Sequence, residues 1–286
     1  IEGSELIRFA KYADKSGHRG PVTTELALGW AQLAKSSTAL YRARRLEIVR
    51  TFARHQVAIE PKTEVPPVGI LGPAHRRTAP YIFSEAQIAQ LIQAAGKLRS
   101  PKGLRAITYS SLVGLLACTG LRISEALCLR CTDVDFESGV VCVRETKFRK
   151  SRLVPLHRSA TRALKRYHDF RETVVPGASS FFTNETGGPL PYSTVRTVFR
   201  KLADRTIHLK SARRKPRLHD LRHTFACRCL LRWYRANVDV NQRIAALSTY
   251  LGHVKVSDTY LYLTGVPELM SIAGGRFENY ARGSDL

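Results

Sequence analysis

Pro61, Pro66, Pro67, Gly69, Gly72, Pro73 and Pro80 fall within twenty residues of a 286-residue chain. Proline fixes φ and removes a backbone donor, so neither a helix nor a central strand continues through such a stretch. The chain therefore divides into a helical unit over 1–56, a linker over 57–82 and a larger unit over 83–286. Hydrophobic residues make up 44% and charged residues 24%, which excludes disorder as the main state and leaves enough apolar surface for two cores. The longest apolar stretch, Leu112 to Cys118, contains Gly114 and is far too short to span a bilayer. No signal-peptide pattern opens the chain. It starts at Ile1 rather than Met, as a fragment or trimmed chain would.

Helical spacing runs from Glu5 to about His55. Ser4 is expected to cap a helix carrying Leu6, Phe9, Ala10 and Ala13. Thr23 or Thr24 would cap one with Leu26, Leu28, Trp30 and Leu33. Ser37 or Thr38 would start a third with Leu40, Leu46, Val49 and Phe52 inside and Arg42, Arg44, Arg45 and Arg50 around it. In the larger unit, Ser84 and Gln87 form a capping-box pattern ahead of Ile88, Leu91, Ile92 and Ala95. Further helices are expected at about 105–117, 123–129, 159–173, 193–207, 219–235, 240–250 and 257–263. Val140 to Arg144 and Arg152 to Leu156 read as strands joined by the basic turn Thr146-Lys147-Phe148-Arg149-Lys150. The fold class is thus mainly α with a small antiparallel β-sheet in the second unit.

Lys and Arg number 46 against 23 acidic residues, a net charge of +23. Such a chain repels itself unless it works beside a polyanion. The excess is distributed, +6 over 1–83 and +17 over 84–286. An extended phosphate track fits that spread better than a membrane surface, whose binders concentrate charge in one amphipathic helix or tail. The linker's His75, Arg76 and Arg77 suit a strap across DNA. The six cysteines, at 118, 128, 131, 142, 227 and 229, lack a regular zinc spacing. They read as reduced core thiols of a cytoplasmic protein.

Four segments concentrate chemistry. In Thr119-Gly120-Leu121-Arg122-Ile123-Ser124-Glu125, a glycine turn presents Arg122 at a helix start, with Glu125 one turn on to hold it. Lys147 sits at the hairpin tip, where lysines are ordinarily solvated. In Arg217-Leu218-His219-Asp220-Leu221-Arg222-His223, His219 and Arg222 share one side of a helix near its N-terminus, where anions are attracted. Arg213, Arg214 and Lys215 add positive field there. In Leu251-Gly252-His253, a glycine ends a helix ahead of the imidazole, and Tyr260 and Tyr262 follow. Two apart on a helix, these tyrosines point in nearly opposite directions, so at most one reaches a shared site. Each segment alone has a bland reading as an ion pair, a solvated tip or core aromatics. Jointly they hold what metal-free phosphoryl transfer requires: arginines to clamp a phosphate, imidazoles to handle a proton, an ammonium to protonate a leaving oxygen and a phenol as nucleophile.

In order and spacing these segments resemble the tyrosine recombinases of the phage-integrase family, over about 84–265. The resemblance implies catalytic roles for Arg122, Lys147, His219, Arg222, His253 and Tyr262, with Glu125 in the supporting acidic position. Lys150 competes with Lys147, and counting back from Arg152-Leu153-Val154-Pro155-Leu156 favours Lys147. Tyr260 is the rival to Tyr262. It further implies a two-domain clamp on double-stranded DNA, a 3′-phosphotyrosyl intermediate, and strand exchange through a Holliday junction in a homo-tetramer. No cofactor, ATP or metal ion enters that scheme, and accessory proteins are possible partners. Residues 1–56 match the family's core-binding domain in size, helicity and charge. Residues 266–282, with Leu269, Ile272, Phe277 and Tyr280, either dock on a neighbouring subunit or finish their own domain. A type IB topoisomerase-like nicking-closing enzyme shares the chemistry. A catalytically silent DNA-binding protein and a membrane-surface protein are the readings from other classes.

Overall fold

A computed structural model describes residues 2–34, 38–74, 79–144, 151–207 and 215–260, together with Tyr262, Ser271 and Gly274. The chain forms two compact units, Ile1–Thr78 and Ala79–Leu286. His75 to Arg77, Lys147, Lys150, Arg213, Arg214 and the apolar side chains expected at 266–282 lie outside the described residues.

The first unit packs α1 (Glu2–Lys15), α2 (Thr24–Gln32) and α3 (Ala39–Gln56) around Phe9, Trp30, Leu46 and Val49. Ser4 lies inside α1 rather than capping it, because the helix already begins at Glu2. Thr23 and Thr38 do cap, their side chains accepting from the amides of Leu26 and Tyr41. Arg45 is buried with its guanidinium 3.8 Å from the Trp30 ring centroid, so part of the basic character of α3 serves packing. The proline-rich stretch folds back on this unit. The Glu64 amide donates to Val22 O at 2.8 Å, the Glu64 carboxylate accepts from the Thr24 amide at 2.8 Å, and Leu71 packs on the core.

The second unit contains α4 (Glu85–Ala95), α5 (Leu104–Thr119), α6 (Ile123–Leu127), α7 (Arg158–Val174), α8 (Tyr192–Thr206), α9 (Leu218–Arg235), α10 (Val240–Leu251) and α11 (Ser257–Tyr260). Its strands β1 (Val134–Asp135), β2 (Val140–Val143) and β3 (Arg152–Pro155) form an antiparallel sheet in the order β1-β2-β3. Val141 pairs with both Val134 and Val154, and Val143 pairs with Arg152. The main core holds Phe83, Leu91, Leu104, Leu112, Leu116, Tyr167, Phe181, Phe182 and Leu221. Each fully buried leucine or phenylalanine contributes roughly 1.5–3 kcal/mol. A smaller cluster of Cys227, Leu230, Leu247, Leu251 and Tyr262 ties α9 and α10 to the segment after α11. The capping box of Ser84 and Gln87 is formed. The core-thiol expectation needs correcting: Cys227 is buried, whereas Cys118 and Cys128 are exposed, on outward positions of otherwise apolar helical runs.

Candidate functional site

Two helix-ending glycines build the site. Gly120 closes α5 at φ 64° and turns the chain so that Arg122 becomes the N-cap residue of α6. Gly252 closes α10 at φ 69°, its amide and that of His253 bonding back to carbonyls of the last turn. Both need the left-handed conformation that glycine adopts without a Cβ penalty. The turn at Gly252 leaves the terminal carbonyls of α10, the negative end of its dipole, facing two guanidinium groups. Leu251 O accepts from Arg222 Nη2 at 2.7 Å and from Arg122 Nη1 at 3.5 Å, and Gly252 O accepts from Arg122 Nη2 at 2.9 Å. The second terminal nitrogen of Arg222 donates to Gly120 O at 2.8 Å.

Glu125 is the hub of the arginines. Its carboxylate accepts from Arg122 Nη1 at 2.8 Å, from the Arg122 amide at 2.9 Å, and from Arg152 at 3.1 and 2.8 Å. Burial alone would raise its pKa. The hydrogen bonds of Arg152 and Arg122, with the charge of Arg152, outweigh that and hold the carboxyl below the usual range. Arg152 Nε also donates to Tyr250 O at 2.8 Å, joining β3 to the end of α10. Arg222 differs. It is buried, and among the described residues the Glu125 carboxylate pairs with Arg122 and Arg152 rather than with Arg222. Its orientation is fixed by carbonyls while its charge stays available to an anion.

The imidazoles and the phenol close the other side. His253 Nδ1 lies 2.7 Å from the buried Thr259 hydroxyl, and His253 Nε2 lies 3.4 Å from Tyr262 Oη. The two rings stack with centroids 5.8 Å apart. Burial, then the charges of Arg222 and Arg122, pushes His253 down to about 4, so it is neutral at pH 7. Burial raises the Tyr262 hydroxyl, and Arg222 pulls against that through its charge and a hydrogen bond. His219 is exposed, with its ring 4.8 Å from that of His223.

The structure thus brings Arg122, Arg222, His253, Tyr262 and Glu125 together, with His219 one ring further out. Tyr260 ends α11 and is exposed, whereas Tyr262 is buried beyond it. Sequence reasoning used Arg152 only to mark a strand and did not single out His223. The helical spacing of four between His219 and His223 was the available signal for the latter. For Arg152 no local signal existed, since its partners lie 27 and 98 residues away. Lys215 pairs with Asp204 at 3.0 Å, and Asp220 caps α9 through the Arg217 amide at 2.7 Å. One trio of metal-ligand types comes together among the described residues, Cys131, His168 and Glu172, within 4.8 Å of one another. The buried Arg171 donates to Cys131 Sγ at 3.0 Å and pairs with Glu172, so a guanidinium already supplies the cation there.

Residues 82–266 match the phage integrase family. The chain is 43% identical over 283 residues to "Putative integrase/recombinase y4rB" of Sinorhizobium fredii, covering 96% of this chain and 89% of that protein. It is 31% identical over 226 residues to tyrosine recombinase XerD of Rhizobium meliloti, covering 77% of this chain and 68% of that one. The structure of XerH site-specific recombinase bound to a palindromic difH substrate, a post-cleavage complex, superposes with a TM-score of 0.68 at 18% identity. That superposition covers 96% of this chain and 78% of XerH, and it shows a shared fold.

Proposed function

The chain belongs to the phage integrase family of tyrosine recombinases, and from that premise we propose that it cuts and rejoins double-stranded DNA at specific sites through a phosphotyrosyl bond. The observation that carries this reading is the meeting of Tyr262 Oη with His253 Nε2 at 3.4 Å, under the charges of Arg222 and Arg122. Phenol, imidazole and guanidinium groups from distant parts of the chain converge on one point. In the proposed step Tyr262 Oη attacks a backbone phosphorus and the bond to the 5′ oxygen breaks. The phosphate stays on the 3′ side, esterified to Tyr262. Arg122 and Arg222 offset the charge that builds on the non-bridging oxygens. In the tautomer with the proton on His253 Nδ1, which then donates to the Thr259 hydroxyl, Nε2 is an acceptor for the phenolic proton, and His219 shares that role. Lys147 protonates the leaving 5′ oxygen. Glu125 holds Arg122 in place.

A 5′-hydroxyl from a partner duplex then reverses the step. Two such exchanges within a homo-tetramer pass through a Holliday junction. The phosphotyrosine conserves the bond energy, so the scheme uses neither ATP nor a divalent metal. Residues 1–56 act as the core-binding domain, 57–82 as the connection and 83–286 as the catalytic domain. The net charge of +23 supports a phosphate track, with affinity falling steeply as salt rises. Among the described residues no helix is long and apolar enough to cross a membrane. We place the protein in the cytoplasm, on the nucleoid when bound, with accessory proteins as further partners.

The test is a supercoiled plasmid carrying two copies of the DNA that flanks the gene, incubated with the protein in EDTA. Resolved or inverted products are expected, and they should vanish in Tyr262→Phe. Relaxation without recombinants would favour the topoisomerase-like reading. Site-specific, salt-sensitive binding with neither product would favour a silent DNA-binding protein.

A further inference from the structure

His223 has no part in the scheme above, yet its ring lies against the proposed nucleophile. Its centroid is 5.2 Å from that of Tyr262, with the planes at 70°. The second imidazole on Tyr262, that of His253, stacks on it at 25°. The phenol therefore has one imidazole lying along its plane and another set across it. Helix α9 supplies the support as a row. His219, His223 and Cys227 follow at intervals of four along one side. His219 meets His223 edge-on, His223 meets the Tyr262 ring, and Cys227 Sγ reaches Tyr262 O at 3.7 Å.

We propose that His223 is a positioning residue for Tyr262, acting through the polarity of its imidazole as well as its shape. The second observation is its Nδ1, which is buried and has no hydrogen-bond partner. A buried unpaired nitrogen costs stability. Phenylalanine, a somewhat larger ring, would also set an aromatic edge against the phenol without that cost. Shape alone therefore does not account for an imidazole here. The surrounding groups are Arg222 and Arg217 on or beside α9, His219 one turn before it, and His253 and Tyr262 across from it. None of these is a carboxylate, and burial with the two arginines pushes His223 down to about 4. The ring is therefore neutral at pH 7 and adds a dipole rather than a charge beside the phenol.

This inference rests on the phosphotyrosyl reading, and its test separates the two. The rate of covalent adduct formation on a nicked suicide substrate would be measured for the unaltered protein, His223→Phe and His223→Gln, alongside DNA affinity and melting temperature. His223→Phe is expected to slow adduct formation at least tenfold at saturating DNA. Its affinity should stay within twofold and its melting temperature should be unchanged or higher. His223→Gln, which restores polar atoms, is expected within threefold of the unaltered rate. An unaltered rate in His223→Phe would overturn the inference alone. Equal slowing in both variants with both melting temperatures lowered would also overturn it, reducing the residue to packing. No adduct from any of the three proteins would overturn the phosphotyrosyl reading and this inference with it.

Discussion

Replacing Arg222 by alanine or lysine is expected to slow covalent adduct formation by about 10²–10³, the usual cost of removing a group that stabilises transition-state charge. Arg222 is 2% exposed, and each of its two terminal nitrogens donates to a backbone carbonyl, Gly120 O and Leu251 O. Those bonds fix the plane of the guanidinium without neutralising it. Lysine keeps the charge but cannot bridge both carbonyls in one rigid plane, so it is not a conservative substitute here. DNA affinity should change little by comparison, because phosphate contacts spread over the whole basic surface dominate binding. Rapid-quench measurement of the adduct, paired with a binding isotherm, checks this. A lysine variant reacting at the unaltered rate would contradict the account.

The second large effect is expected at Gly252, which contributes no side chain. A Cβ built there meets Arg152 Nη1 at 2.8 Å, Arg152 Cζ at 3.0 Å and Arg122 Nη1 at 3.4 Å. A guanidinium tip usually yields cheaply. This one is pinned by Glu125 and by Tyr250 O. The φ of 69° adds backbone strain for any L side chain, on the order of 1–2 kcal/mol. Gly252→Ala should therefore cut adduct formation at least tenfold and lower the melting temperature by several degrees, as a loss of about 1 kcal/mol does for a domain of this size. Gly252→Val should do worse on both. The checks are the same adduct assay and a thermal melt. Full activity in Gly252→Val would mean that the carbonyls of Leu251 and Gly252 do not set the arginines.

The parts of this arrangement that were legible beforehand are those written in short spacings. Ser84 with Gln87, Thr23 and Thr38 mark helix starts through side chains that reach a backbone amide three residues on. Arg122 with Glu125 is equally local. What escaped the sequence depends on long-range geometry. Strand β1 is two residues long and exists because Val134 and Asp135 pair with β2. Arg152 joins the site because β3 runs past the end of α10. Helix α11 is described over Ser257–Tyr260 and Tyr262 lies in a turn, and the choice between the tyrosines rests on that difference. Two apart on a continuous helix, one tyrosine would have faced away. Instead Tyr262 lies beyond the helix, buried against α9 and α10. Cys118 and Cys128 misled because an apolar run does not say which of its positions face outward. Lys147 lies outside the described residues, and its proposed role rests on the family resemblance.

The central claim is that Tyr262 is the residue that becomes bonded to DNA. The most direct measurement traps the protein on a nicked suicide substrate without magnesium, digests the adduct and identifies the modified residue by mass spectrometry. The account predicts a nucleotide-bearing peptide modified at Tyr262, present in Tyr260→Phe and absent from Tyr262→Phe. A modification at Tyr260, or an adduct that persists in Tyr262→Phe, would contradict it.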